Sequence, residues 1–140
     1  MRVLVTGGAG FIGSHLVDSL LADGHLVVVV DNFDPFYPRA IKEGQTAHQR
    51  RHPAWRLVEC DIRDRDALSE RIVGEFDVIV HLAAKAGVRP SILDPNAYQD
   101  VNVRGTQNLL EFARLRGVRH FVFASSSSVY GVNPRVPWSE

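Results

Sequence analysis

Short, nearly unbroken apolar runs alternate along this chain with longer stretches in which apolar residues recur every three or four positions. The first run, residues 2–6 (RVLVT), is rich in β-branched side chains and ends in glycines. A strand buried on both faces has this form, because neither face accepts polar side chains. From Phe11 the apolar positions Phe11, Ile12, Leu16, Leu20 and Leu21 follow helical spacing up to Gly24, a residue suited to ending a helix. Residues 26–30 (LVVVV) read as a second buried strand that closes on Asp31.

Residues 32–54 break the rhythm with Pro35, Pro38 and Pro53 around a polar stretch, so they predict a long connection with room for one short helix at 40–49. The alternation then resumes. Residues 55–59 (WRLVE) predict a third strand, 65–73 a helix, and 76–82 (FDVIVHL) a fourth strand. Residues 97–115 predict a long helix carrying Val101, Leu109, Leu110, Phe112 and Ala113, and 121–124 a fifth strand. Buried strands alternating with helices predict right-handed crossovers and an open parallel α/β sheet covered on both faces. No internal repeat or low-complexity segment interrupts it.

Composition narrows the field of functions. The 140 residues are 45% hydrophobic and 23% charged, as for one ordinary globular domain. Sixteen basic side chains balance sixteen acidic ones, so the chain lacks the field that nucleic acid or an anionic membrane would require. The small basic cluster Arg50, Arg51 and His52 reads as solvated surface. Cys60 is the single cysteine, which excludes an internal disulfide and leans toward a reducing compartment. The longest strongly apolar run, 26–30, falls far short of the roughly 20 residues of a membrane span. Glycines at 7, 8 and 10 interrupt the apolar N-terminus where a secretory segment would be continuous, and the expectation is a cytoplasmic protein.

Chemistry concentrates between the first strand and the first helix. There Gly7, Gly10 and Gly13 stand in TGGAGFIG, a spacing that gives a tight turn, a close backbone approach to a pyrophosphate, and close packing of helix on strand. Phosphates would rest on the free N–H groups of the helix start, around Phe11 and Ile12. Asp31 falls 18 residues after Gly13, at the end of strand two, where a carboxylate can accept hydrogen bonds from both ribose hydroxyls of an adenosine. It would also repel a 2′-phosphate and so favour NAD over NADP, although Arg39 and Lys42 lie near enough in sequence to blur that preference.

With these residues in view, the chain resembles the extended short-chain dehydrogenase/reductase family, and within it the NAD-dependent nucleotide-sugar epimerases and dehydratases. The resemblance covers essentially the whole chain. It implies a Rossmann-like, doubly wound parallel sheet with about five strands in the order 3-2-1-4-5, truncated before the sixth strand. Residues 1–140 would be an incomplete NAD-binding domain, with the catalytic helix and substrate domain absent. By the family's motifs, Asp31 and Asn32 match the acidic-plus-Asn pair after strand two, and Asp61 and Ile62 the adenine-side pair. Leu82, Ala83 and Ala84 in HLAAKAGV match the small-residue segment against which the cofactor lies. Asn102 resembles the asparagine that steadies the active-site side of the cofactor.

In the same resemblance Ser126, three residues before Val129 of the Val-Tyr-Gly triplet, would hydrogen-bond the sugar hydroxyl being oxidised, with Ser127, Ser128 and Arg89 available to the substrate. Residues 31–43 and 86–91 look most like UDP-glucuronate 4-epimerases, with UDP-glucose 4-epimerases close behind. The implied reaction is 4-epimerisation of a UDP-sugar through a 4-keto intermediate, with NAD regenerated. Dehydratases of the family carry Thr-Asp-Glu where this chain has three serines, so epimerisation ranks above dehydration or reduction. A homodimer built on the long helix is also implied.

One expected element is missing. The family takes the hydroxyl proton with a Tyr-x-x-x-Lys pair, whose ammonium lowers the phenol pKa. The residues four after Tyr37, Tyr98 and Tyr130 are Ile41, Asn102 and Pro134, and the lysines are Lys42 and Lys85. A cofactor-binding module or remnant without turnover is therefore the alternative reading. An open apolar strip beside strand five would make such a chain unstable or self-associating.

Other candidates read as structure. His48 and His52, four apart, lack a third metal ligand and read as surface residues; no metal is expected. His81 reads as a hydrogen-bonded structural histidine. Trp55 and Trp138 read as packing residues, with no basic groove around them.

Overall fold

In a computed structural model, which describes residues 1–139, β1 (Arg2–Thr6) is the middle strand of a five-stranded sheet. On one side lie β2 (Leu26–Asp31) and β3 (Trp55–Glu59), on the other β4 (Val78–His81) and β5 (His120–Phe123), giving the order β3-β2-β1-β4-β5. Every pairing is parallel: Leu4 stands opposite Val28 and Ile79, and Val30 opposite Val58. The parallel sense matches the expectation from the alternating runs, and the order matches what the family resemblance implied.

The run of apolar residues in each central strand is explained by two cores, one on each face. Leu4, Val28, Val30, Val58 and Ile79 pack with Leu68, Ile72, Leu109 and Phe112 from helices α3 (Arg65–Arg71) and α6 (Thr106–Leu115) and the turn after α3. Val3, Val5, Val27 and Val29 pack with Val17 and Leu21 of α1 (Phe11–Ala22) on the other side. Successive strand side chains point to opposite faces, so both parities must be apolar. Trp55 packs at the margin of the second core, and Trp138 stacks on Tyr130 at 5.1 Å, both in packing roles as expected.

The connection after β2 holds α2 (Arg39–Thr46) and one 3₁₀ turn (Gln49–Arg51), close to the short helix predicted at 40–49. The sequence reading assigned no element to residues 88–93, where the structure has α4 (Val88–Leu93); Pro90 sits in its first turn, where its missing N–H costs no hydrogen bond. The long helix also differs from prediction. It begins earlier, as α5 (Pro95–Gln99), because Asp94 accepts the Ala97 N–H at 3.1 Å. It then widens into a π-helical segment (Asp100–Gly105) before continuing as α6.

β5 is one residue earlier than predicted and only partly covered, with Val122 54% and Phe123 56% exposed. The open apolar strip expected beside strand five is thus present. No helix among the described residues is long and apolar enough to cross a membrane.

Candidate functional site

From β1 the chain winds outward to β2 and β3, then crosses back to place β4 and β5 on the other side of β1. In a doubly wound sheet this switch point opens a crevice at the carboxyl ends of the strands. Gly7 forms its floor. With φ +70° it occupies the left-handed region, its N–H donates to the Val30 carbonyl at 2.7 Å, and a Cβ would sit 2.8 Å from the Ala83 nitrogen. Turn and β4 loop are therefore in backbone contact, which only glycine permits. A Cβ on Gly13 would run into the Gly7 carbonyl oxygen and the Gly8 Cα, so α1 also packs backbone to backbone on this turn.

α1 opens with no side-chain cap at Gly10 and no acidic residue in its first turn. Its leading N–H groups therefore keep the donors and positive end of the helix dipole that suit a phosphate.

Nine of the residues expected to hold a cofactor line one groove above this turn: Gly7, Gly10, Asp31, Asn32, Asp61, Ile62, Leu82, Ala83 and Ala84. Phe11, Ile12, Gly13 and Asn102 do not line it, and neither do Arg89, Ser126, Ser127 and Ser128. Phe11 and Ile12 turn their side chains to solvent, leaving only their backbone to offer. Ser126 caps a 3₁₀ turn (Ser127–Tyr130), accepting the Ser128 N–H at 3.2 Å, in an exposed segment after β5.

The carboxylates of the groove are held by internal partners. Asp31 is buried; it accepts N–H groups from Ala9 and Phe33 and pairs with Lys42 at 3.0 Å. Phe33 takes φ +53° to present that N–H, an uncommon conformation for a large side chain. Asp61 receives Arg63 through Nε, Nη2 and the backbone N–H, and Asn32 through Nδ2 at 2.9 Å. Arg63 foremost, against the opposing effect of burial, holds the Asp61 carboxyl down at about 2. These four bonds fill its acceptor positions, so the side chain braces the strand ends.

Asn102 has a similar supporting role. Its amide makes two hydrogen bonds to the backbone of Lys85, accepting the N–H at 2.8 Å and donating to the carbonyl at 3.0 Å, and so shapes the β4 loop from behind. Below it, Ala83 N–H donates to Thr6 Oγ1, which lies 2.6 Å from His81 Nδ1. On the other side His81 Nε2 lies 2.9 Å from Thr106 Oγ1, whose own proton goes to the Asn102 carbonyl. The Thr106 hydroxyl must accept from His81, so the ring carries a proton on Nε2. Burial pushes its pKa down to about 4. His81 is the hydrogen-bonded structural histidine expected from the sequence.

Sequence reasoning missed part of the groove wall, namely Asp34, Phe36, Tyr37, Cys60, Lys85, Ala86 and Val101, whereas Lys42, noted as near Asp31 in sequence, does line it. Asp34 and Lys85 form an ion pair of 3.3 Å between the β2 and β4 loops. The signal available was position, since Lys85 follows strand four as Asp31 closes strand two. Cys60 is buried, and its thiol pKa is pushed up by desolvation. His48 is exposed and bonded to Asp18 at 2.7 Å, and His52 accepts the Ala54 N–H, so both are surface residues as expected.

This topology, with a glycine turn at the switch point and an acidic end to β2, defines a Rossmann-type protein with a groove at the carboxyl ends of its strands. Comparison with known proteins gives the family. The sequence profile of the NAD dependent epimerase/dehydratase family matches residues 3–140, and the chain belongs to that family.

Among its relatives is the "Probable UDP-glucuronate 4-epimerase" of Rhizobium meliloti (strain 1021), 43% identical over 100% of this chain and 41% of that protein. A solved UDP-glucose 4-epimerase from Bifidobacterium longum, in complex with NAD+ and UDP, is 33% identical with a TM-score of 0.85, over 100% of this chain and 41% of the other. A double mutant of DesIV, a dTDP-glucose 4,6-dehydratase from Streptomyces venezuelae with NAD bound, is 40% identical with a TM-score of 0.86, over 99% and 43%. The chain thus spans about two-fifths of the length of these relatives.

Proposed function

We propose that this chain is the NAD-holding portion of a nucleotide-sugar 4-epimerase. The observation that carries the reading is the groove at the switch point, floored by a glycine whose Cβ would strike the β4 loop and walled by the buried Asp31. That space suits a pyrophosphate approaching backbone, with the α1 N–H groups around Gly10 receiving its charge and Asp31 receiving the adenosine ribose. Ala83 and Ala84 leave room for the cofactor against the β4 backbone, and Asn102 keeps that backbone in place. A bound nicotinamide supplies reversible hydride transfer to and from a sugar carbon.

The substrate class follows the named relatives, a UDP-sugar, and Ser126, Ser127, Ser128 and Arg89 are the candidates to meet it. The serines stand where dehydratases of the family carry an acid and a base, which favours epimerisation.

Titration of the chain with NAD+ tests the first part; saturable binding is the expected result, and none would remove the reading. Supplying a downstream segment with Tyr and Lys tests the second. Interconversion of UDP-glucuronate and UDP-galacturonate without net NADH is expected, whereas stoichiometric NAD+ consumption would replace epimerase by dehydrogenase.

A further inference from the structure

Two loops wall the groove from opposite sides. The loop after β2 carries Asp34, the loop after β4 carries Lys85, and both residues line the groove together with Gly7. β2 and β4 flank β1, so at about 4.8 Å per strand their ends stand roughly 10 Å apart. The Lys85 ammonium and Asp34 Oδ2 meet at 3.3 Å, and the pair bridges that gap.

Each partner is aimed by its own loop. Lys85 has its backbone N–H and carbonyl gripped by the Asn102 amide at 2.8 and 3.0 Å, and its ammonium lies 5.9 Å from the Tyr98 ring centre. Asp34 donates its N–H to Asn32 Oδ1 at 3.0 Å and accepts the Phe36 N–H on Oδ1 at 3.0 Å, while Oδ2 receives Lys85. The contacts then run on. Asn32 donates to Asp61, Arg63 holds Asp61, and Arg63 Nη1 reaches Asp100 at 3.4 Å, at the start of the π-helical segment that carries Asn102. These side chains form a closed circuit from the long helix through the β4, β2 and β3 loops and back to the helix. Asp34–Lys85 is the link that crosses the groove.

We propose that the Asp34–Lys85 pair is a clasp over the groove, which parts to let a dinucleotide in or out and closes again over the bound molecule. The inference rests on the reading of the groove as a dinucleotide site. The two side chains stay 33% and 28% exposed, and an ion pair so placed is worth little and breaks readily. The neutral bonds that aim it do not depend on the pair. A clasp closed in both the free and the occupied groove adds the same barrier to entry and to exit, so it sets the rate of cofactor exchange and leaves affinity alone.

The test is stopped-flow mixing with NADH, whose own fluorescence reports association and dissociation, on the unaltered chain, Asp34→Asn and Lys85→Met. Asp34→Asn keeps an acceptor for the Phe36 N–H, and Lys85→Met keeps both backbone bonds to Asn102. Each variant is expected to raise the association and dissociation rate constants together, by about threefold to fivefold, with the dissociation constant unchanged within about twofold. Salt at about 0.5 M, which screens a partly exposed pair, should close most of the gap between the unaltered chain and the variants.

Unchanged rates in both variants overturn the clasp. So does a split response: if Lys85 instead holds the cofactor's phosphates, Lys85→Met weakens affinity, while Asp34→Asn frees the ammonium, removes a repelling carboxylate and strengthens it. Either result leaves the dinucleotide reading intact. Failure of the unaltered chain to bind NADH removes that reading and the clasp with it.

Discussion

His81 shows how one residue's surroundings set its charge. It reaches Thr6 on β1 and Thr106 on α6 from the end of β4, and burial holds its pKa at about 4. An unfolded histidine binds its proton near the ordinary value of about 6.5. Between those two values the unfolded chain holds the extra proton, so stability is complete above about pH 6.5 and falls as the pH drops toward 4, by roughly 3 kcal/mol in all. Urea unfolding measured across this range checks it: His81→Gln should flatten the slope, and an unchanged slope would assign the loss to other groups. Gly13→Ala acts through space alone. Its Cβ meets the Gly7 carbonyl and Gly8 Cα, which are backbone atoms that cannot swing aside. A loss of roughly 1–3 kcal/mol is expected, read from the urea midpoint at constant m-value.

Among the elements, the long helix departs most from its sequence pattern, and the departure falls where the groove needs support. Its π-helical segment carries Asn102, whose amide grips Lys85, and Gly105, where a Cβ would sit 2.6 Å from Ile62 Cδ1. Apolar spacing locates such a helix but says nothing of an extra residue in one turn, because the wider turn is selected by what it contacts across the fold. Asn102→Ala removes both bonds to Lys85 and, at about 1 kcal/mol each, should weaken NAD+ binding by roughly tenfold or more. Faster amide exchange at Lys85 with an unchanged rate in β1 would place the effect in the β4 loop; affinity equal to the unaltered chain would remove Asn102 from the supporting residues.

At the scale of the molecule, two cores on opposite faces of one sheet bring the ends of β1, β2 and β4 to a common edge, so ligand binding and folding are linked there. NAD+ at a hundred times its dissociation constant should stabilise the chain by about 2.7 kcal/mol, raising the melting temperature by roughly 8 °C. No shift at saturating NAD+ would contradict binding to the folded state. The sequence by itself determined the parallel α/β alternation, the glycine turn and the acidic end of β2, because hydrophobic periodicity and glycine geometry are local properties read over a few residues, while the strand order came from the family resemblance. Tertiary structure alone decided which polar groups are free. Asp61 and Asn102 turned out to be braces because Arg63, Asn32 and the Lys85 backbone reach them, and Lys42 joined the groove because α2 folds back over Asp31. Hydrogen-bonding capacity is shared among residues distant in the chain, and only their packing fixes how much is left for a ligand.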